Sequence, residues 1–242
     1  MFSATQLIFM NASSCSHTAL EQTLLSRLHK TEQARYGSFT NLQRRQTWLA
    51  GRVLLLAALE RQLGQIDAAS IRTDEQGGVR FQGNAIHLSM SHSRDMLVVS
   101  LSGMRTGVDV EWPQPRSVLQ HAERVFNRTE ADQMHALTEA ERRDVFYVFW
   151  TLKEAACKAA GVSLWESLHC ACFDLRNGRF NSHPPFPSGD WHFMSACIEP
   201  GWRVAVATRG AVNTSQIECW RLTAAEQWHR QPLVRQLFLF GS

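Results

Sequence analysis

Two stretches of this chain carry residues that could do chemistry. In Gly107-Val108-Asp109-Val110-Glu111-Trp112, valines alternate with acids, so in a strand the Asp109 and Glu111 carboxylates share one face. Side-by-side carboxylates repel unless something positive sits between them, and a hard divalent cation such as Mg²⁺ is the usual solution. The bland alternative is a solvent-facing acidic strand end. The second stretch, Trp150 to Gly161, reads as a helix with Lys153, Glu154 and Lys158 towards its end. Glu154 and Lys158 stand at i and i+4 on one face, where an exposed pair contributes only about 0.2–0.5 kcal/mol. The flanking Phe146, Phe149 and Trp150 predict a largely buried helix, in which three grouped charges need a reason.

Lesser candidates precede them. Arg45 and Arg52 fall on a common side of a helix expected over 41–63, with Arg44 beside Arg45. They form either a solvated basic face or guanidiniums presented to phosphate, which the planar fork suits. Ser91 and His92 end a strand-like run just before the turn at Ser93-Arg94-Asp95; a histidine there is most often a polar loop residue.

The elements that must position these groups are ordinary. With 242 residues, 44% hydrophobic and 19% charged, the chain has apolar mass for a real core in one large or two small domains. A net charge of +3 and a pI near 8.6 suit a polyanionic ligand or an acidic partner but are too weak to indicate nucleic acid. No signal peptide or membrane-length apolar run is apparent, and the six cysteines lack zinc or redox spacing, so a reduced cytoplasmic setting is expected. We expect strands at 6–10, 96–101, 106–112, 164–180, 191–198, 202–208 and 217–222. Helices are expected over 19–30, 41–63 and 119–137, with Asn127 or Thr129 starting a new one. Gly77-Gly78 reads as a turn, 181–189 as a loop, and the apolar 233–240 run as packing on the body.

Taken together, Gly107-Val108-Asp109-Val110-Glu111 and Trp150-Thr151-Leu152-Lys153-Glu154-Ala155-Ala156-Cys157-Lys158 resemble the two motifs of the 4'-phosphopantetheinyl transferases. Ser91-His92-Ser93 and Leu49-Ala50-Gly51-Arg52 are similar to further family segments, all in the family's order. The long, monomeric type, named for the surfactin synthetase activator, is the closer in form. The resemblance implies an α/β (α+β) fold of two similar halves in a pseudo-twofold arrangement with the active site in the cleft between them, here 1–106 and 107–242. It implies Mg²⁺-dependent transfer of the phosphopantetheine arm of coenzyme A to a serine of an acyl or peptidyl carrier protein, releasing adenosine 3',5'-bisphosphate. Asp109, Glu111 and Glu154 would hold Mg²⁺, with Glu154 also a candidate base. Lys158 and Lys153 would bind the diphosphate, and Arg52, Ser91 and His92 the 3'-phosphate. Glu130 falls where relatives often carry another acid. Neither a nucleic acid nor a membrane is an expected partner.

Some positions depart from the pattern. Gly77-Gly78-Val79 stands where the family's turn carries a lysine, and Arg80 would be its substitute two residues off register; Leu56 replaces a second arginine. Two other readings stay open on the sequence: a Mg²⁺-dependent nucleotide-diphosphate phosphohydrolase, and a non-catalytic relative that binds carrier proteins or coenzyme A.

Overall fold

The computed structural model describes residues 4–14, 23–74, 77–82, 86–114, 118–199, 201–210, 217–223, 227–233 and 235–241. Local signals set most element ends. Asn41 caps the helix Leu42–Leu63 by accepting from Arg44 N at 2.9 Å, and Gly64, at φ 79°, stops it. Thr138 and Glu141 form a capping box that starts the helix Glu139–Ala160, and Gly161 ends it in the left-handed region at φ 69°. The expected 119–137 helix breaks in two, Leu119–Val125 and Arg128–His135. Phe126 leaves the helical path there, and Asn127 forms a capping box with Glu130.

The chain makes two compact units: residues 1–103 with 218–231, and residues 104–217 with 232–242. In the first, β1 (Gln6–Asn11) pairs antiparallel with β5 (Met96–Ser102), which pairs with β4 (His87–Ser93). Helices α1 (Lys30–Ser38) and α2 (Leu42–Leu63) and the hairpin β2 (Ile71–Thr73)–β3 (Val79–Phe81) complete the run. A short helical segment covers 23–27; the start of the helix expected over 19–30 lies outside the described residues. The second unit repeats this order. β6 (Thr106–Glu111) and the helices α3 (Leu119–Val125), α4 (Arg128–His135) and α5 (Glu139–Ala160) come first. The one-turn helix α6 (Leu164–Ser167), the hairpin β7 (Ala171–Asp174)–β8 (Arg179–Ser182) and the hairpin β9 (Trp191–Cys197)–β10 (Arg203–Arg209) follow. β10 then pairs antiparallel with β6, as β5 does with β1.

Two expectations need correction. The stretch 218–231, placed by sequence in the second half, belongs to the first unit: β11 (Glu218–Leu222) pairs parallel with β1, and β12 (Trp228–Arg230) pairs with β11. The first sheet thus runs β12-β11-β1-β5-β4. The chain then returns as β13 (Arg235–Gly241) to the second sheet, ordered β6-β10-β9-β13-β8-β7. The 164–180 run is a short helix and two strands. Each unit has its own core, one around Leu54, Leu55, Leu59 and Val99, the other around Phe149, Leu152, Phe173 and Phe193. Among the described residues no helix is long and apolar enough to cross a membrane.

Candidate functional site

The site in the second unit starts from a missing side chain. A Cβ at position 107 would fall on the Ala155 carbonyl oxygen and 2.5 Å from Ala159 N, so only glycine lets β6 lie against the backbone of α5. That direction also fixes the strand's helix-facing side, because residues 107, 109 and 111 point the same way. Asp109 accordingly meets α5: its Oδ1 lies 2.7 Å from Lys158 Nζ. Lys158 also pairs with Glu154 Oε2 at 3.3 Å, one turn back on its own helix.

Asp109, Glu111 and Glu154 each bring a carboxylate oxygen into a group whose members lie within 4.8 Å of one another; among the described residues it is the one group of metal-ligating type. Beyond the end of β6 the chain is held by aromatics. Trp112 meets Trp202 edge-on at 5.1 Å, Gly201 packs on Trp112, and Gln114 N donates to Tyr147 Oη at 3.1 Å where the chain leaves β6.

The donor chemistry fits a hard divalent cation: three acids and one lysine, all-oxygen ligands, no imidazole or thiol. The electrostatics agree. Burial, then the Asp109 charge and, less, that of Glu111, push the Glu154 carboxyl up to about 7 against the pull of Lys158. Burial draws the Lys158 ammonium down, but Asp109 and Glu154 outweigh it and raise it. A cation placed among these oxygens would relieve the same repulsion.

Lys153 goes elsewhere. Its Nζ is fully buried, pairs with Glu130 Oε2 at 2.7 Å and donates to the carbonyls of Leu168 and Ala171. Glu130, also fully buried, accepts from Phe173 N at 2.9 Å and Asn127 N at 3.2 Å. Neither residue presents a group to a diphosphate, which corrects the expected phosphate contact of Lys153. Burial raises the Glu130 carboxyl, opposed by Lys153 and by the two backbone donors.

The basic residues of the first unit surround a cavity of about 450 Å³ whose walls include Arg35, Arg44, Arg52, His92, Arg94 and Trp48. His92 is exposed at its edge, whereas Ser91 is buried in β4 and is not on the wall. Arg52 is 1% exposed and largely committed. Its Nε pairs with Glu32 Oε2 at 2.7 Å, its Nη2 donates to Thr73 Oγ1 at 2.7 Å, and its plane lies 4.3 Å from the Trp48 ring. Only Nη1 has no acceptor. Arg80 pairs with Asp74 at 3.1 Å and is not among the residues that line this cavity. No motif or spacing singles out Arg35. Arg94 was visible only as part of a turn, where it adopts φ 50°.

Comparison with known proteins bears on the family of the chain. Residues 105–207, the span that holds both motifs, match the family model described as the 4'-phosphopantetheinyl transferase superfamily. The chain is 30% identical over 164 residues to the 4'-phosphopantetheinyl transferase Sfp of Bacillus subtilis, covering 65% of this chain and 71% of that protein. It is 26% identical over 199 residues to HetI, a 4'-phosphopantetheinyl transferase of a Nostoc species, covering 78% and 81%. Against AcpT of Salmonella typhimurium, likewise a 4'-phosphopantetheinyl transferase, identity is 35% over 126 residues, or 51% and 62%. The two-unit α/β fold, the carboxylate group between β6 and α5, and these matches place the chain in one family: it belongs to the 4'-phosphopantetheinyl transferase superfamily, in its long, Sfp-like form.

Proposed function

We propose that this protein converts apo carrier proteins to their holo form, moving the 4'-phosphopantetheine arm of coenzyme A to a carrier serine and releasing adenosine 3',5'-bisphosphate. The observation that carries the reading is the meeting of Asp109, Glu111 and Glu154 beside Lys158. Attack of a hydroxyl on a diphosphate phosphorus forms one P–O bond and breaks another, and it needs positioning and charge neutralisation more than covalent help. Asp109, Glu111 and Glu154 would hold Mg²⁺, which supplies Lewis-acid neutralisation of the diphosphate oxygens. Lys158 neutralises charge on the transferred phosphate. Glu154 takes the serine proton directly or through water. The 3'-phosphate is assigned to the arginine-lined cavity, to Arg52 Nη1 and His92 with Arg35, Arg44 and Arg94 as further cations. Ser91 contributes the strand end that carries His92. The protein is proposed to act as a cytoplasmic monomer on an acidic carrier.

Release of adenosine 3',5'-bisphosphate, followed by chromatography, tests the reading. We expect it only when coenzyme A, Mg²⁺ and an apo carrier are all present. Cleavage of the diphosphate without a carrier would instead support a hydrolase.

A further inference from the structure

Lys153 and Glu154 are neighbours in sequence, yet they serve different surroundings. An ammonium has three N–H donors. Those of Lys153 are matched by three acceptors, Glu130 Oε2 and the carbonyls of Leu168 and Ala171, in a site with no exposure to solvent. Nothing is left to offer a phosphate. Glu130 is equally committed: one oxygen takes Lys153 and the Asn127 N–H that closes the capping box of α4, the other the Phe173 N–H of β7. β7 is an edge strand of its sheet, and Gln133 Oε1 accepts from Leu175 N at 2.9 Å just beyond it, so α4 covers that edge. Through Lys153, α4, the β7 edge and α5 are tied at the turn of α5 that carries Glu154.

The first unit contains the same device in a part that supplies no metal ligand. Glu32 is the third residue of α1, as Glu130 is of α4. Its carboxylate takes a buried cation from the long helix, Arg52 at 2.7 Å, and a strand N–H, Thr73 at 2.9 Å. In the second unit the corresponding distances are again 2.7 Å and 2.9 Å. The repeat marks the arrangement as a clamp belonging to the architecture of each unit.

We infer that Lys153 is a positioning residue for the transfer reaction: with Glu130 it clamps the turn of α5 that presents Glu154 to Asp109 and Glu111, and it touches no substrate. The inference rests on the proposed transferase reading for its kinetic consequence, but not for its geometry. It predicts that Glu130→Gln and Lys153→Met each lower turnover and weaken half-saturation by Mg²⁺, by about 10–100-fold as for groups that orient metal ligands. Coenzyme A affinity measured by calorimetry with chelator present stays within about twofold, and the double variant is no worse than the poorer single one within the same margin.

A measurement on the unaltered protein guards against variants that fail to fold. The chain has three lysines, Lys30, Lys153 and Lys158. Lysine labelled at Cε and Nζ therefore gives three side-chain signals, assignable with Lys30→Arg and Lys158→Arg. We expect the Lys153 signal to be protected from solvent exchange and from reductive methylation. Adding coenzyme A with Mg²⁺ should move the Lys158 signal and leave that of Lys153 in place. A Lys153 signal that is readily methylated, or that shifts on coenzyme A while Lys153→Met alone weakens its binding tenfold, would overturn the inference. A wild-type protein with no transfer activity but with a protected Lys153 would refute the transferase reading and leave the clamp standing.

Discussion

Asp109 Oδ1 and Lys158 Nζ lie 2.7 Å apart across 49 residues of chain. Lys158 reaches Glu154 from the same nitrogen, so one ammonium holds together the acids of a strand and of a helix. It offsets one of three negative charges, and the deficit is what a divalent cation would fill. Several measurable consequences depend on that imbalance.

Glu154→Gln should lower transfer by roughly 10²–10⁴-fold, the range of a lost acid–base group, measured at saturating coenzyme A and Mg²⁺, and Asp109→Ala, which takes away a proposed metal ligand, should abolish it. Their effects on the metal-free protein should differ. Glu154→Gln removes a buried charge that its surroundings disfavour, and we expect its Tm at pH 8 to match or exceed wild type. Asp109→Ala removes the nearest partner of Lys158 and should lower Tm.

The pH dependence follows from the raised carboxyl of Glu154. Its folded-state value of about 7 lies above the unfolded value of 4.5. The native state therefore binds the extra proton between these values, and the stability this gives is lost as pH rises through about 7. A bound cation replaces that proton. Mg²⁺ should raise Tm more at pH 8 than at pH 6, and its affinity by calorimetry should fall as pH drops below about 7. An equal response at both pH values would count against Glu154 as a ligand.

Gly107→Ala should be disabling out of proportion to one methyl group. The added carbon meets helix backbone, which cannot move aside as a side-chain tip would. Overpacking costs about 1–3 kcal/mol, and forcing β6 from α5 separates Asp109 from Glu154. Loss of Tm together with loss of Mg²⁺ binding is expected; a variant with wild-type metal affinity would show that this close approach does not set the site.

In the basic cavity, stability and binding separate by residue. Arg52→Ala leaves Glu32 buried without its cation and should cost about 3–5 kcal/mol, seen as a large fall in Tm. Arg44 is exposed on the cavity wall. Arg44→Ala should keep Tm nearly unchanged and raise the KM for coenzyme A by about threefold to tenfold, the loss of a charge contact of about 1 kcal/mol.

What the sequence made legible were groups whose meeting is local or nearly so. Asp109 and Glu111 share a face by the strand's period of two, Glu154 and Lys158 by one helical turn, and the cap at Asn127 lies next to the helix it starts. Lys153 could not be judged this way, because its fate is set by Glu130 and two distant carbonyls. The pairing that occupies most of the Arg52 guanidinium was hidden for the same reason: Glu32, 20 residues away, has no mark in the periodicity. The return of 218–231 to the first sheet rests on a parallel pairing between β11 and β1, and such pairing over a long separation leaves no local pattern.

The most direct test is the intact mass of an apo acyl carrier protein and an apo peptidyl carrier domain after incubation with this protein, coenzyme A and Mg²⁺. We expect one phosphopantetheine added to at least one carrier, absent with chelator and absent with Asp109→Ala. Unchanged mass of both carriers, with the protein folded and coenzyme A bound, would contradict the assignment of Asp109, Glu111, Glu154 and Lys158 as a working transferase site.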